Sequence, residues 1–386
     1  MTLKRSLLVF LLVMFIPAPA RGAGNLHLGP LEIHPYVSIR ESYNDNIYAT
    51  ANERKADSIT TTIPGLRLDL LFRTHELVLD YNAVSTNHAT YTADDTTDQN
   101  ARGFLDLKLG SEFGLSLSDF YTENHEPRGS SSTGFIEKYI NNAAAASASY
   151  QLADISKVEI GYTRNTWDFK TSKFRDREEN MTSVYLYYQL LPKTSAFIAY
   201  DHKIVDFNNI SSQDLNNDVD NESLGITWAI TEKSKGTIKV GYLQKNFTKS
   251  SKTDYTTWTT SVDLNHELSE YTSLTLIGQR AVNETNFQGI NYLVSTGAYA
   301  ELRHKFIQKL TAVVKGSLGT DDFSDAVPPE TKKRQDLTTM GGVGLKYLIQ
   351  DWLEAVIDYS HTDRNSNLDA NDYWGNSYMF TINVAL

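Results

Sequence analysis

Asp363, Asn365, Asn367 and Asp369 stand at alternate positions, the spacing with which a calcium loop begins, where short oxygen-bearing side chains converge on a cation. Leu368 occupies the place where such a loop needs Gly for its sharp turn, and Trp374 the place of the bidentate Glu. A helix-loop-helix calcium site is therefore excluded, and only loose binding by a surface loop remains. Catalytic chemistry has less footing still. The 9 His are scattered, no Gly-rich nucleophile elbow precedes a helix, and Ser, Thr and Asn are so common that a Ser/His/Asn grouping would arise by chance. The reading is no enzyme, no cofactor and no dedicated metal centre. What remains is a large set of charged and aromatic residues at every second position of long alternating runs, the pattern of a polar wall.

Those runs define the elements. From Ile33 to the end, an alternating apolar/polar stretch, a short turn, a second such stretch and a longer Asn/Asp/Ser/Thr-rich loop recur. Thr182 to Leu190 and Ser195 to Tyr200 show it best, joined through Pro192, Lys193 and Thr194. Val184, Leu186, Tyr188 and Leu190 fall on one face of the first run, and Ser183, Tyr185, Tyr187 and Gln189 on the other. Tight turns fall at Arg73 to His75, Gly110 to Glu112, Ala153 to Ser156, Pro192 to Thr194, Glu232 to Lys235, Ser269 to Thr272, Ile307 to Lys309 and Ile349 to Asp351. With a first strand at Ile33 to Ser42 and a last from Ser377 to Leu386, they predict an all-β fold: one antiparallel transmembrane β-barrel of about 18 strands, with 16 as the alternative. Short turns face the periplasm and long loops the exterior, among them Thr90 to Asp98, His125 to Phe135, Lys170 to Arg177, Asn208 to Asn217, Thr248 to Lys252, Asp321 to Arg334 and Asp363 to Tyr373. Sandwiches, propellers and solenoids also alternate, but runs of about 9 to 14 residues and the alternation of short and long connections suit a tilted membrane crossing better.

The amino terminus reads as an export signal. Lys4 and Arg5 precede the apolar run Leu7 to Ile16, and Ala18 and Ala20 follow where signal peptidase cuts. Cleavage is expected after Ala20, leaving a short segment over 21–32 and the barrel over 33–386. The chain contains no Cys, which leaves no lipid attachment through a thiol and no disulfide. Mean hydropathy is −0.38, too polar for a helical membrane protein and natural for a barrel with one wet face. Without Lys4 and Arg5 the net charge moves from −11 to −13, a sign that disfavours nucleic acid.

Tyr150 and Tyr162 bracket one turn, Tyr188 and Tyr200 a second, Tyr347 and Tyr359 a third, and Trp228 and Tyr242 a fourth. In the register of the apolar faces all eight point outward, as a lipid-facing aromatic belt requires. The opposite face supplies candidate pore-lining residues: Arg67, Asp69, Arg102, Asp106, Lys108, Glu301, Arg303 and Lys305, with the rings of Tyr185, Tyr187 and Tyr299. Both signs occur, so no single-sign filter is predicted. Opposite charges are expected to pair across strands.

One stretch carries a resemblance. His34 to Tyr48 contains Tyr-Asn-Asp-Asn at 43–46, and after a charged loop the chain continues from Asp57 through Ile-Pro-Gly-Leu at 63–66. It resembles the outer-membrane barrels grouped as putative beta-barrel porin 2, whose members are often associated with exopolysaccharide synthesis and export. In physical terms Tyr43 to Asn46 is a strand end turning into a loop, and Pro64 with Gly65 predicts a bulge or bend. The resemblance implies a passive outer-membrane conduit for a polysaccharide, partnered by periplasmic export proteins. Two other readings stay open: a diffusion porin for small hydrophilic solutes, and a structural or adhesive barrel with a filled lumen. All three share outer-membrane lipid and lipopolysaccharide as surroundings. The apolar-alternating terminal strand Tyr378, Phe380, Ile382, Val384, Leu386 suits recognition by the barrel assembly machinery. Asp321 to Arg334 and Asp363 to Tyr373 are the loops expected to constrict the mouth.

Overall fold

The computed structural model describes residues 26–126, 136–208, 214–231, 233–249, 251–285, 287–326 and 330–386. The export signal, its cleavage after Ala20, parts of four long loops (127–135, 209–213, 250 and 327–329) and position 232 of one tight turn lie outside the described residues. Period-two alternation yields strands throughout: β1 (Leu26–Leu28), β2 (Leu31–Asn44), β3 (Asp57–Phe72), β4 (His75–His88), β5 (Thr96–Leu109) and β6 (Phe113–Glu126). They continue as β7 (Glu137–Ala153), β8 (Ser156–Phe169), β9 (Arg177–Leu191), β10 (Thr194–Phe207), β11 (Asn217–Thr231), β12 (Ser234–Phe247) and β13 (Tyr255–Ser269). The last six are β14 (Thr272–Asn283), β15 (Leu293–Ile307), β16 (Leu310–Phe323), β17 (Gln335–Gln350), β18 (Leu353–Ser366) and β19 (Tyr373–Ala385).

Each strand from β2 to β19 pairs antiparallel with its neighbours in sequence, and β19 pairs with β2 from Ser377↔Asn44 to Ala385↔Tyr36. The ring therefore closes on 18 strands, and its eight tight turns fall where the sequence places them. β1 was not foreseen. It folds back on β2, with Leu28↔Leu31 and Leu26↔Ile33, along the stretch of β2 that lies beyond the end of β19. The strands of the ring run from 12 residues in β14 to 17 in β7, longer than expected. The excess lies on the loop side, where outward residues turn polar, as at Glu178 and Asn180 of β9 or Asp218 and Asp220 of β11. Strands that stand proud of a bilayer have no reason to stay apolar there.

The outer face is apolar between those polar tops and the turns. Leu186 is 45% exposed, Ile198 61%, Val343 53% and Leu345 49%, values that only contact with lipid makes tolerable. Tyr150, Tyr188, Trp228 and Tyr347 lie on this face near the turns, and Tyr162, Tyr200, Tyr242 and Tyr359 four to six residues further from them. A hydrogen bond recurs at the upper level: Tyr81 to Gln99 at 3.1 Å, Tyr162 to Asn180 at 2.6 Å, Tyr200 to Asp220 at 2.6 Å and Tyr359 to Asn376 at 2.9 Å. Each hydroxyl donates to the following strand, two residues above the ring's own partner. The ring stays in the apolar band while its polar end reaches out of it.

Pro64 and Gly65 do not make the expected bulge. Thr62↔Ser85 and Gly65↔Asn82 keep one register, so no residue is inserted; the ladder to β4 only lapses at Ile63 and Pro64, where Pro lacks a donor. Gly65 serves packing instead. A Cβ on it would lie 2.1 Å from the Tyr36 ring, which crosses the inner face of β3 and donates to Asp80 of β4 at 3.2 Å.

The Tyr-Asn-Asp-Asn stretch ties the seam. Asp45 accepts from the backbone N–H and the side-chain amide of Asn376, both at 2.7 Å. Asn46, 5% exposed, donates to the carbonyls of Trp374 and Thr50, both at 2.9 Å. Burial alone would raise the Asp45 carboxyl, but the Asn376 donors, Arg54 and His361 outweigh it and hold the group below the usual carboxylate range.

Two outcomes follow from these faces and this seam. Arg at Leu186, Ile198, Val343 or Leu345 should cost about 2 to 4 kcal/mol near the midplane, and far less at the inward Ser183 or Thr338, measured by folding into lipid vesicles. Asn46→Ala, which deletes two buried bonds at the seam, should lower stability by about 1 to 3 kcal/mol, read as an earlier urea midpoint with the wild-type slope.

Candidate functional site in the lumen

Cross-strand partners share a face, so the register fixes which side chains enter the lumen. Arg67 pairs with Asp80, Asp80 with Arg102, and Asp106 with Ser116, placing Arg67, Asp69, Arg102, Asp106 and Lys108 on the inner face of β3 and β5. Tyr185 and Tyr187 line β9, and Tyr299, Glu301, Arg303 and Lys305 line β15, also on the inner face. The sequence-derived set is thus spread around the wall and not gathered at one point.

Charge pairing follows an unexpected rule. Opposite charges two residues apart on one strand pair repeatedly: Arg67–Asp69 at 2.8 Å, Lys157–Glu159 at 3.0 Å, Arg177–Glu179 at 2.7 Å and Arg303–Glu301 at 2.5 Å. Residues i and i+2 share a face of a strand, so the signal was present in the sequence as a three-residue pattern. Pairs that skip a strand also occur, Lys239–Asp201 at 3.1 Å over β11 and Lys315–Asp358 at 2.9 Å over β17. They need a low floor between them. For Lys315–Asp358, Gly342 and Gly344 provide it, since a Cβ on the first would lie 2.9 Å from Lys315 Cε and on the second 2.8 Å from Asp358 Oδ2.

Most inward rings are already engaged. Tyr185, Tyr187 and Phe197 pack with centroids 5.4 to 6.0 Å apart, Lys157 lies 4.4 Å over Tyr187, and Lys239 Nζ is 3.0 Å from the Tyr185 hydroxyl. Toward the loops, Arg175 lies 3.8 Å over Phe169 and holds Glu126 with both terminal nitrogens, while Arg177 lies 4.9 Å over Trp167. Cations thus cap these faces.

At the extracellular end the wall is covered. Leu215, from the β10–β11 loop, is 1% exposed and packs with Val205, Phe207, Phe247 and Tyr292. The β14–β15 loop reaches inward across β13. Glu284 bonds Lys245 of β12 at 2.5 Å, and Lys245 also holds Asn217 of β11 at 2.8 Å. Ile290 is 1% exposed, Tyr292 stacks on Tyr255 at 4.4 Å, and the backbone of Asn291 donates to Ser324 and Asp325. Burial would raise the Glu284 carboxyl, but Lys245, then Lys203 and Arg177, hold it below the usual glutamate range.

This loop was absent from the sequence-derived constrictions. Of the two that were named, Asp321 to Arg334 meets the same cluster at Ser324 and at Arg334, which lies 5.5 Å over Phe287. Asp363 to Tyr373 largely dissolves into structure: β18 extends to Ser366 and β19 starts at Tyr373. Asp363 and Asn365 are thereby strand residues on the outer face, apart from Asn367, whose amide donates to the Lys333 carbonyl. Among the described residues no group of His, Cys, Asp and Glu could hold a metal ion.

A closed ring of 18 strands with an apolar outside and a polar, charged inside is an outer-membrane β-barrel channel. The chain belongs to the family described as putative beta-barrel porin 2, whose model matches residues 19–386. No curated protein sequence matches the chain. Among solved structures, OccK2 (OpdF) of Pseudomonas aeruginosa is 10% identical with a TM-score of 0.52, the match covering 92% of this chain and 98% of that one. OccAB4 of Acinetobacter baumannii is 14% identical with a TM-score of 0.49, over 95% and 100%. Likeness at such identities reaches the fold alone.

The Glu284–Lys245 tether makes a measurable prediction. Removing one partner of a buried pair costs about 3 to 5 kcal/mol, so Glu284→Gln or Lys245→Met should release the loop and raise single-channel conductance. A depressed carboxyl stabilises fully above the ordinary glutamate value of 4.5 and loses that contribution as pH falls through its own lower value. Wild-type conductance should stay constant from pH 7 to about pH 5 and rise only in stronger acid, a rise that Glu284→Gln should lack.

Proposed function

We propose that the barrel is a passive conduit for a hydrated, weakly charged polymer, an exopolysaccharide leaving the cell. The observation that carries this reading is the pairing of the lumen charges, along strands in Arg67–Asp69 and Arg303–Glu301 and across them in Lys239–Asp201 and Lys315–Asp358. A wall of contacting opposite charges offers hydrogen bonds in both senses but little net field. A neutral chain of hydroxyl groups can exchange partners along it without being trapped, whereas an ion-selective pore would keep one sign free. Periplasmic polymerisation and export proteins would deliver the chain to the turn side. On the outside, Tyr150, Tyr188, Trp228 and Tyr347 would mark the periplasmic interface, and Tyr162, Tyr200, Tyr242 and Tyr359 the lipopolysaccharide side.

One observation favours a diffusion porin for small hydrophilic solutes. The inward loop of Glu284 and Ile290 narrows the extracellular end, which a polymer must displace and a small solute need not. Deletion of the gene separates the two. Export predicts loss of surface polymer with small-solute uptake nearly unchanged; normal polymer together with slower solute uptake would leave the porin reading standing instead.

A further inference from the structure

The inner face of β14 to β17 is hollow. Three cavities lie end to end along it and share lining residues. One of 480 Å³ opens at the turn side between Thr272, Lys305, Lys315 and Asp358. The next, 660 Å³, shares Ser273, Glu301 and Arg303 with the first and extends to Ile277 and Tyr299. The third, 410 Å³, shares Ile277 and Tyr299 with the second and continues over Gly297, Ser317 and Gly319 to Asn283 and Asp321. Small residues at 297, 317 and 319 form the floor, and β14, spanning its full length of 12 residues or about 40 Å, forms one side. The upper end reaches Asn283, the residue before Glu284, so the hollow stops beneath the inward loop.

At its middle Ile277 pairs with Asp263 and Tyr299, faces the lumen and is 46% exposed, a large apolar side chain among polar neighbours. Tyr299 lies beside it with its hydroxyl donating to Glu301 at 2.6 Å, and among the described residues no cation lies over its ring, unlike those of Tyr185 and Tyr187. Gln279 above and Glu301 with Arg303 below supply acceptors and donors. An apolar patch about one ring wide, bounded by hydrogen-bonding arms and set in an elongated groove, fits a pyranose: the axial C–H face packs on Ile277 and Tyr299, and the equatorial hydroxyls meet the arms.

We propose that this groove is a glycan-binding track, with Ile277 and Tyr299 as the platform that seats one sugar ring. The inference deepens the conduit reading and rests on it for the direction of travel, but not for the chemistry of binding. A chain held at one platform on an otherwise paired wall moves by stepping, since only one ring at a time gains the apolar contact.

Maltohexaose, a neutral glucan oligosaccharide, is the probe. Added to single wild-type channels in planar bilayers, it should interrupt the current in resolved blockades. Ile277→Asn and Tyr299→Ala should each shorten the mean blockade at least tenfold, while Phe120→Ala, which trims a lumen ring outside the groove, should not. Heat-dependent gel migration would check that every variant is folded. Absence of blockades in the wild type, or equal dwell times in wild type and both groove variants, would overturn the track. Failure of the export reading looks different: the deletion strain would keep its polymer while blockades still depended on Ile277, leaving a sugar-binding channel that works in the other direction.

Discussion

Everything in this molecule depends on the ladder having no end. Inside a bilayer no water replaces a missing strand partner, and each unpaired backbone group costs several kcal/mol, so β2 and β19 must meet along Ser377 to Ala385. That meeting joins residues more than three hundred positions apart, the most non-local contact in the fold. Extra bonds concentrate there: Asp45 and Asn46 hold Asn376 and Trp374 above the ladder, and β1 extends the edge of β2 below it. The Tyr-Asn-Asp-Asn stretch thus secures closure.

Closure also separates the two faces. Once the backbone satisfies itself, the outer side chains answer only to lipid and the inner ones only to water and one another. The inner face uses that freedom unevenly. Glycines at 65, 342 and 344 are places where a neighbour's side chain crosses a strand, whereas those at 297 and 319 are crossed by nothing and leave the wall hollow. Glycine therefore has two uses in one wall. The inward loop anchored by Lys245 and Glu284 adds a third layer, in which a buried ion pair satisfies polar groups that no ladder reaches.

The strands, the turns and the direction in which Leu186 or Tyr185 points were legible because period-two alternation is a local signal that every strand repeats. The Pro64–Gly65 step was misread, since the reason for Gly65 is the ring of Tyr36, a partner on another strand that only the register reveals. β1 was hidden because three residues are too few to show a period. The inward course of residues 284–292 was hidden for a related reason: Glu284 looks like any polar loop residue until Lys245, two strands away, is placed beside it. The i,i+2 charge pairs are legible as a three-residue pattern, since residues two apart share a face of a strand.

Those same-strand pairs bear on how such a wall changes over generations. Arg67–Asp69, Lys157–Glu159, Arg177–Glu179 and Arg303–Glu301 each neutralise themselves without reference to a neighbouring strand. A hairpin copied or lost as a unit carries its countercharge with it, so circumference can grow or shrink by two strands while the electrostatic character of the passage stays put. Barrels of this construction are modular around their rim in the way that repeat proteins are modular along their axis.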